Sequence, residues 1–478
     1  MPGLRKFLFA IPASGLAVFL AAAIVSLFFS EGAEVSRILE RLRSRELWYT
    51  VLLTLRYSLA ALGYSWLGAW TILILSKGRG ASIFRFFSIL PGMAYALLVL
   101  SLLRTMGTEA PYSMDSVLMA WVLAGIPFLS SGISEGVRDL GFRSKEALQT
   151  LGAGPVRAFF HHDFRGTIRL QLSLLLQQFW FFLTSFSLVM ILSGGPPFET
   201  LEVAIYSAVR LGRTDLSNAL SLALVQALIL AVVRIALVRL KIHGQTGRGV
   251  SEEYERARDP AGKLGTLVLS VICGAMLVIL SARIPGRAEA LSSFLAPLVL
   301  SLSLGAVVVF FTLVFSLSSY HSGLRALGSA GNWVSPILLS LSVWSFSGFR
   351  LPPFVNVALI QTVFFAPWVA HGIFPLLDRS QKTGVEAARV LGAGAFRAWL
   401  EVEWPRIKGA ALRTAGLVFS LSVTEVSSVM LFSRGDFDTL SSYSQNLFSR
   451  FRIDEAAFGT VALLLISALS LHLAERRA

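Results

Sequence analysis

The sequence predicts an all-α, polytopic membrane protein of about 12 transmembrane helices, arranged as two tandem homologous halves. Three observations carry this. Charged residues make up only 15% of the 478 residues and hydrophobic ones 55%, where soluble domains carry roughly 25% charge; the mean hydropathy is +0.69. Several apolar runs approach or exceed the ~20 residues that a helix needs to cross a bilayer core. A loop segment of the first half also recurs 240 residues later in the second.

The first run, near 7–29, follows Arg5 and Lys6 and is too long for the apolar core of a signal peptide, so it reads as a helix. Runs near 48–75, 86–103, 116–134, 171–192 and 216–240 complete a first half, residues 1–240. A polar stretch, 241–263, with Glu252, Glu253, Glu255 and Asp259–Pro260, reads as a cytoplasmic linker. The second half, 264–478, carries runs near 264–282, 291–318, 331–347, 355–376, 411–432 and 456–473.

With both termini placed in the cytoplasm, Lys and Arg fall about two to one on the inner side, as orientation by positive charge requires. The net charge of +14 therefore serves topology, and no nucleic-acid partner is expected. One cysteine, Cys273, excludes an internal disulfide or a multi-cysteine metal site, and no metal is expected. Asp259–Leu264 is the nearest approach to a phosphate-binding loop. It has Ala257 where the first glycine belongs and Leu264 where a hydroxyl would hold magnesium, so the chain does not bind nucleotide by that route.

The recurring segment is Glu-Ala-Leu-Gln-Thr-Leu-Gly-Ala-Gly at Glu146–Gly154 and Glu-Ala-Ala-Arg-Val-Leu-Gly-Ala-Gly at Glu386–Gly394, continuing through Arg157/Arg397 and Ala158/Ala398. Both copies follow the fourth span of their half, so they face the same side and form a parallel repeat. Thr383 with Glu386 makes a capping box, and Ser144 caps the first copy. Gly152 and Gly392 stop a short helix in the left-handed conformation, and a second short helix starts beyond, with Pro155 at its first position in the first copy. The product is a rigid helix–turn–helix at the inner membrane face, suited to transmit motion from a two-fold soluble partner.

The Glu-Ala-Ala, three residues, Gly pattern of Glu386–Gly392, with Glu-Ala-Leu in Glu146–Gly152, resembles the EAA loop of binding-protein-dependent ABC importer permeases. The loops span 141–169 and 378–410. Trp404–Pro405 fits the family ending, whereas Phe164–Arg165 lacks the proline. The resemblance implies that Glu146, Ala147, Gly152 and Arg157, with Glu386, Ala387, Gly392 and Arg397, couple the chain to two copies of a cytoplasmic ATPase. It implies that ATP is bound by that partner and that this chain is no enzyme and holds no cofactor. It further implies an extracytoplasmic solute-binding protein and a multi-pass place in a bacterial inner membrane. Fusion of two halves, Ser193–Pro197 with Thr200–Tyr206, and Phe432–Leu440 are similar to the thiamine and ferric-iron branch, so the expected cargo is one of these solutes.

Glu425 falls in the middle of the 411–432 run. A carboxylate at a helix centre costs about 2.5–3.5 kcal/mol even on the lenient insertion scale, so it faces protein or water. It either lines a translocation path for a cation, with Ser185 as its repeat equivalent, or makes a hydrogen bond between helices. Arg56 either reaches the outer interface or contacts substrate, His371 reads as a packing residue, and His161 and His162 lie on the first loop beside Asp163. An ion-coupled secondary transporter using Glu425 is the alternative reading. A membrane-embedded enzyme would need a carboxylate or histidine cluster that the sequence does not offer.

Overall fold

The computed structural model describes residues 14–19, 21–26, 35–75, 92–107, 112–141, 147–193, 195–210, 215–239, 288–347, 351–380, 384–433 and 437–477. The 241–263 linker, the run near 264–282, Cys273, Ser144, Glu146 and Thr383 lie outside them. The described residues are helical or irregular, without a strand, and the chain is an all-α polytopic membrane protein. Among them six helices are long and apolar enough to cross a bilayer: Arg45–Ile74, Met114–Val137, Leu216–Arg239, Ser292–His321, Pro353–Asp378 and Ile453–Ala474.

By packing, the chain divides into two compact units. One comprises 42–204 and 224–284; the other comprises 1–41, 205–223 and 285–478. The halves read from the sequence are defined by the repeated loop, whereas these units are defined by contact.

In the 42–204 unit, the Arg45–Leu75 helix starts where the Ser44 hydroxyl accepts from Leu47 N (3.3 Å), with Glu46 in its first turn. It packs on the Met114–Asp139 helix through small residues. A Cβ on Gly68 would meet Ile126 at 2.7 Å, and one on Gly125 would meet the Ser65 hydroxyl at 2.4 Å, so two backbones approach where larger residues would hold them apart. An apolar cluster of Ala69, Trp70, Leu73, Leu129 and Ile133 lies beside this contact, and Phe159, Phe164 and Leu174 pack on it.

In the 285–478 unit, the Ala288–His321 helix packs on Pro353–Ser380 and Trp404–Thr424. The run near 331–347 is not one span. It opens as a 3₁₀ turn, Leu327–Trp333, and becomes α-helix only over Pro336–Ser347. Gly331 lets this turn lie against the Pro353–Ser380 helix: an added Cβ would sit 2.3 Å from the Val363 carbonyl oxygen.

The fifth run of each half is also broken. The first stops at Leu183 and resumes at Ser187, and the second stops at Thr424 and resumes at Ser427. The breaks match: Ser185 N bonds Phe182 O at 3.3 Å and Glu425 N bonds Ser422 O at 3.4 Å. Beyond each break lies a short helix that hydropathy does not announce, Leu201–Arg210 and Leu440–Ser449. Each begins with a backbone N–H given to a hydroxyl on the long helix of its own unit. Leu201 N donates to Thr54 Oγ1 at 3.0 Å and Leu440 N to Ser301 Oγ at 2.7 Å.

Candidate functional site

The two repeated loops share one backbone path. Ala147 opens a helical turn and its carbonyl accepts from Leu151 N at 3.1 Å; the Ala387 carbonyl accepts from Leu391 N at 3.1 Å in the Glu386–Val390 helix. Ala153 N then reaches back to Leu148 O (3.0 Å) and Ala393 N to Ala388 O (2.9 Å), closing a Schellman stop. That stop needs a left-handed residue, and Gly152 (φ +87°) and Gly392 (φ +89°) supply it. The second helices, Pro155–Ala158 and Ala395–Ala398, follow at once and pass into single π-turns, Phe159–Phe164 and Trp399–Glu403.

Ala147, Arg157, Ala387 and Arg397 are exposed. Arg397 Nε donates to Glu401 Oε1 at 2.8 Å, and this hydrogen bond, then the Coulomb attraction of the carboxylate, raises the pKa of the guanidinium. Glu386 is the first residue of its helix. Apolar side chains stand out at the tips: Leu151 is 85% exposed and Leu391 87%. Inward, Ala158 and Ala398 are buried.

Glu425 is not at the middle of a continuous helix. It occupies the break with extended backbone (ψ 132°), because its carboxylate is worth more as a cap than in a helix interior. It accepts from Ser427 N at 2.8 Å and Ser428 N at 2.9 Å, and from both serine hydroxyls. These are the first backbone donors of the Ser427–Met430 helix. Gln361, buried, donates to the Ser428 hydroxyl (3.1 Å) and accepts from Ser422 (2.6 Å), while the Ser441 hydroxyl reaches the Glu425 carbonyl (2.8 Å). Ser185, half-buried, sits at the matching break of the other unit, where the polar work is done elsewhere: Gln226 donates to buried Glu202 and to Leu183 O (3.2 Å).

His371 faces the Pro367 carbonyl at 2.6 Å, four residues back on its own helix, and Arg56 is exposed beside the Tyr57 ring. Among the described residues no group of three or more His, Cys, Asp or Glu side chains is placed to hold a metal ion.

Sequence reasoning passed over two tethers of the loops. Gln171 is buried, with Nε2 donating to Phe164 O (3.0 Å) and Thr167 Oγ1 (2.9 Å) and Oε1 accepting from Trp66 Nε1 (3.0 Å) and Trp70 Nε1 (3.2 Å). Glu403, buried in its π-turn, lies 3.5 Å from His321 Nε2, also buried. The signals were in the sequence. A glutamine inside an apolar run needs partners, and Asp163 stands 240 residues before Glu403 as the loops do.

No family model matches the chain. Among curated proteins it is similar to the thiamine transport system permease protein ThiP of Haemophilus influenzae, with 22% identity over 385 residues, 74% of this chain and 71% of that protein. Together with the apolar helices, this distant likeness supports an ABC-permease-like type for the chain, a multi-pass membrane protein of the transport class without fixing the subtype.

Proposed function

We propose that the chain is the membrane-spanning subunit of an ATP-driven importer for a small solute, and that the solute is thiamine. The observation that carries the reading is the repeated loop, built twice on the same Schellman stop with an exposed apolar tip. An apolar tip at the same place on both loops is suited to a partner's groove. Leu151 on one loop and Val390 with Leu391 on the other fit grooves on two copies of a cytoplasmic ATP-hydrolysing subunit. The likeness to a thiamine transport permease supports this cargo, and an external binding protein delivers it.

In this mechanism the chain makes and breaks no covalent bond. Nucleotide state in the motor changes the relative stability of inward- and outward-open conformations, and the loops convey that bias. Glu425 serves the path indirectly, since its two oxygens already meet four donors; it shapes the broken helix.

The test is isolation of the chain from its native membrane with its partners, followed by reconstitution into vesicles. Labelled thiamine should accumulate only with ATP on the loop side, and Leu151→Asp with Leu391→Asp should release the ATP-hydrolysing subunit. Uptake driven by an ion gradient alone would overturn the reading.

A further inference from the structure

Each loop must be fastened to the helices behind it for any push at its tip to travel inward, and the two units do this with different chemistry. In the 42–204 unit the fastening is Gln171. Its four hydrogen-bonding positions are all used, two toward the π-turn (Phe164 O and Thr167) and two toward the indoles of Trp66 and Trp70 on the Arg45–Leu75 helix. Trp70 also stacks edge-on with Phe159 of the same π-turn, centroids 5.2 Å apart.

The repeat equivalent of Gln171 is Ala411, and that of Thr167 is Ile407, so the 285–478 unit has no such amide at this place. It carries a different link. Glu403 in the π-turn comes to 3.5 Å from His321, the last residue of Ala288–His321, the long helix whose Ser301 corresponds to Thr54. In the other unit the matching acid, Asp163, contacts its own neighbour His162 at 2.8 Å. The end of the Ala288–His321 helix is itself anchored: Tyr320 donates to Asp378 (2.8 Å), and Arg325 pairs with Asp378 (2.9 Å) and lies over the Tyr320 ring. In the unit without the glutamine, a remote histidine stands beside the acid; both links run from the π-turn region to the first long helix.

We propose that Gln171 and Glu403 are positioning residues that hand the motion of each loop to the first long helix of its own unit. The inference rests on the importer reading, since it needs a motor at the loop tips. It adds where the stroke enters each bundle.

The experiment uses the full chain in nanodiscs with its copurified ATP-hydrolysing subunit, read by hydrogen exchange with and without ATP and vanadate. In the wild type, nucleotide should change exchange in loop peptides 384–403 and at the 312–321 end of the long helix. Glu403→Leu should keep the loop response while the helix response falls about fivefold or more, the size of a typical coupling along such a link. Gln171→Leu should do the same to 60–75 and leave 312–321 unchanged. Glu403→Gln, which keeps a polar side chain of the same length beside His321, should retain most of the response and guards against a variant that fails to fold. A helix response of wild-type size in Glu403→Leu, or equal loss in both units from either single variant, would overturn the proposal while leaving the importer reading intact. No nucleotide response in the wild-type loops would instead remove the importer reading and this inference with it.

Discussion

The loop of the 42–204 unit and that of the 285–478 unit trace the same path, yet almost none of the side chains that hold them are alike. The glycine stop, the reach-back bonds of Ala153 and Ala393, and the π-turn recur atom for atom in pattern. Behind them, a neutral amide binds two indoles in one unit, while a carboxylate approaches an imidazole in the other. The breaks differ likewise: Glu425 caps its own short helix, whereas Ser185 leaves that region to Glu202 and Gln226. A backbone path depends on local stereochemistry that few residues satisfy, so it persists. A buried polar link needs only that every donor and acceptor be met, which many pairs can do.

The sharpest way to break this comparison is to remove one link. Gln171→Leu leaves the buried Trp70 indole N–H and the half-buried Trp66 indole N–H without their acceptor, and should destabilise by about 2–3 kcal/mol, seen as a lower midpoint of thermal unfolding in detergent. No change would mean that the amide is incidental. Next comes the break: Glu425→Ala should cost about 1–2 kcal/mol as a lost cap, while Ser185→Ala should stay within ~0.5 kcal/mol. Equal costs would show that the two breaks are held alike after all.

The glycine stops test the shared part. Gly152→Ala and Gly392→Ala meet no atom within 4 Å, so each should cost only the left-handed backbone penalty of about 1–2 kcal/mol, and the two should agree. A marked difference in unfolding midpoint would mean the paths are less alike than their bonds. The smallest effect is expected at the hydroxyls that receive Leu201 and Leu440. Thr54→Val and Ser301→Ala should each cost about 0.5–1.5 kcal/mol, with local gain in hydrogen exchange at 201–204 and 440–443.

What could be read from the sequence follows the same divide. The helix–glycine–helix of both loops was legible because a C-terminal glycine and a repeat at fixed offset are local signals. The long spans were legible from hydropathy. The broken fifth spans were not: averaging over 171–192 and 411–432 hides a two- or three-residue interruption, and Glu425 then looks like a charge in mid-helix when it is a cap at a helix start. The Gln171 amide announced that it needs partners, but not which ones. Its indole partners lie 105 and 101 residues earlier in the chain, and nothing local tells a glutamine which tryptophan it will meet.

The matched tips and unmatched roots have a consequence for how force is shared. A two-fold motor would grip two handles of the same make, yet each handle is set in its own mortar: one in a mesh of neutral dipoles, the other where a carboxylate stands beside an imidazole. An even stroke would then be felt unevenly, and the bundle that yields first would be chosen by the anchorage in this chain, whatever the symmetry of the engine.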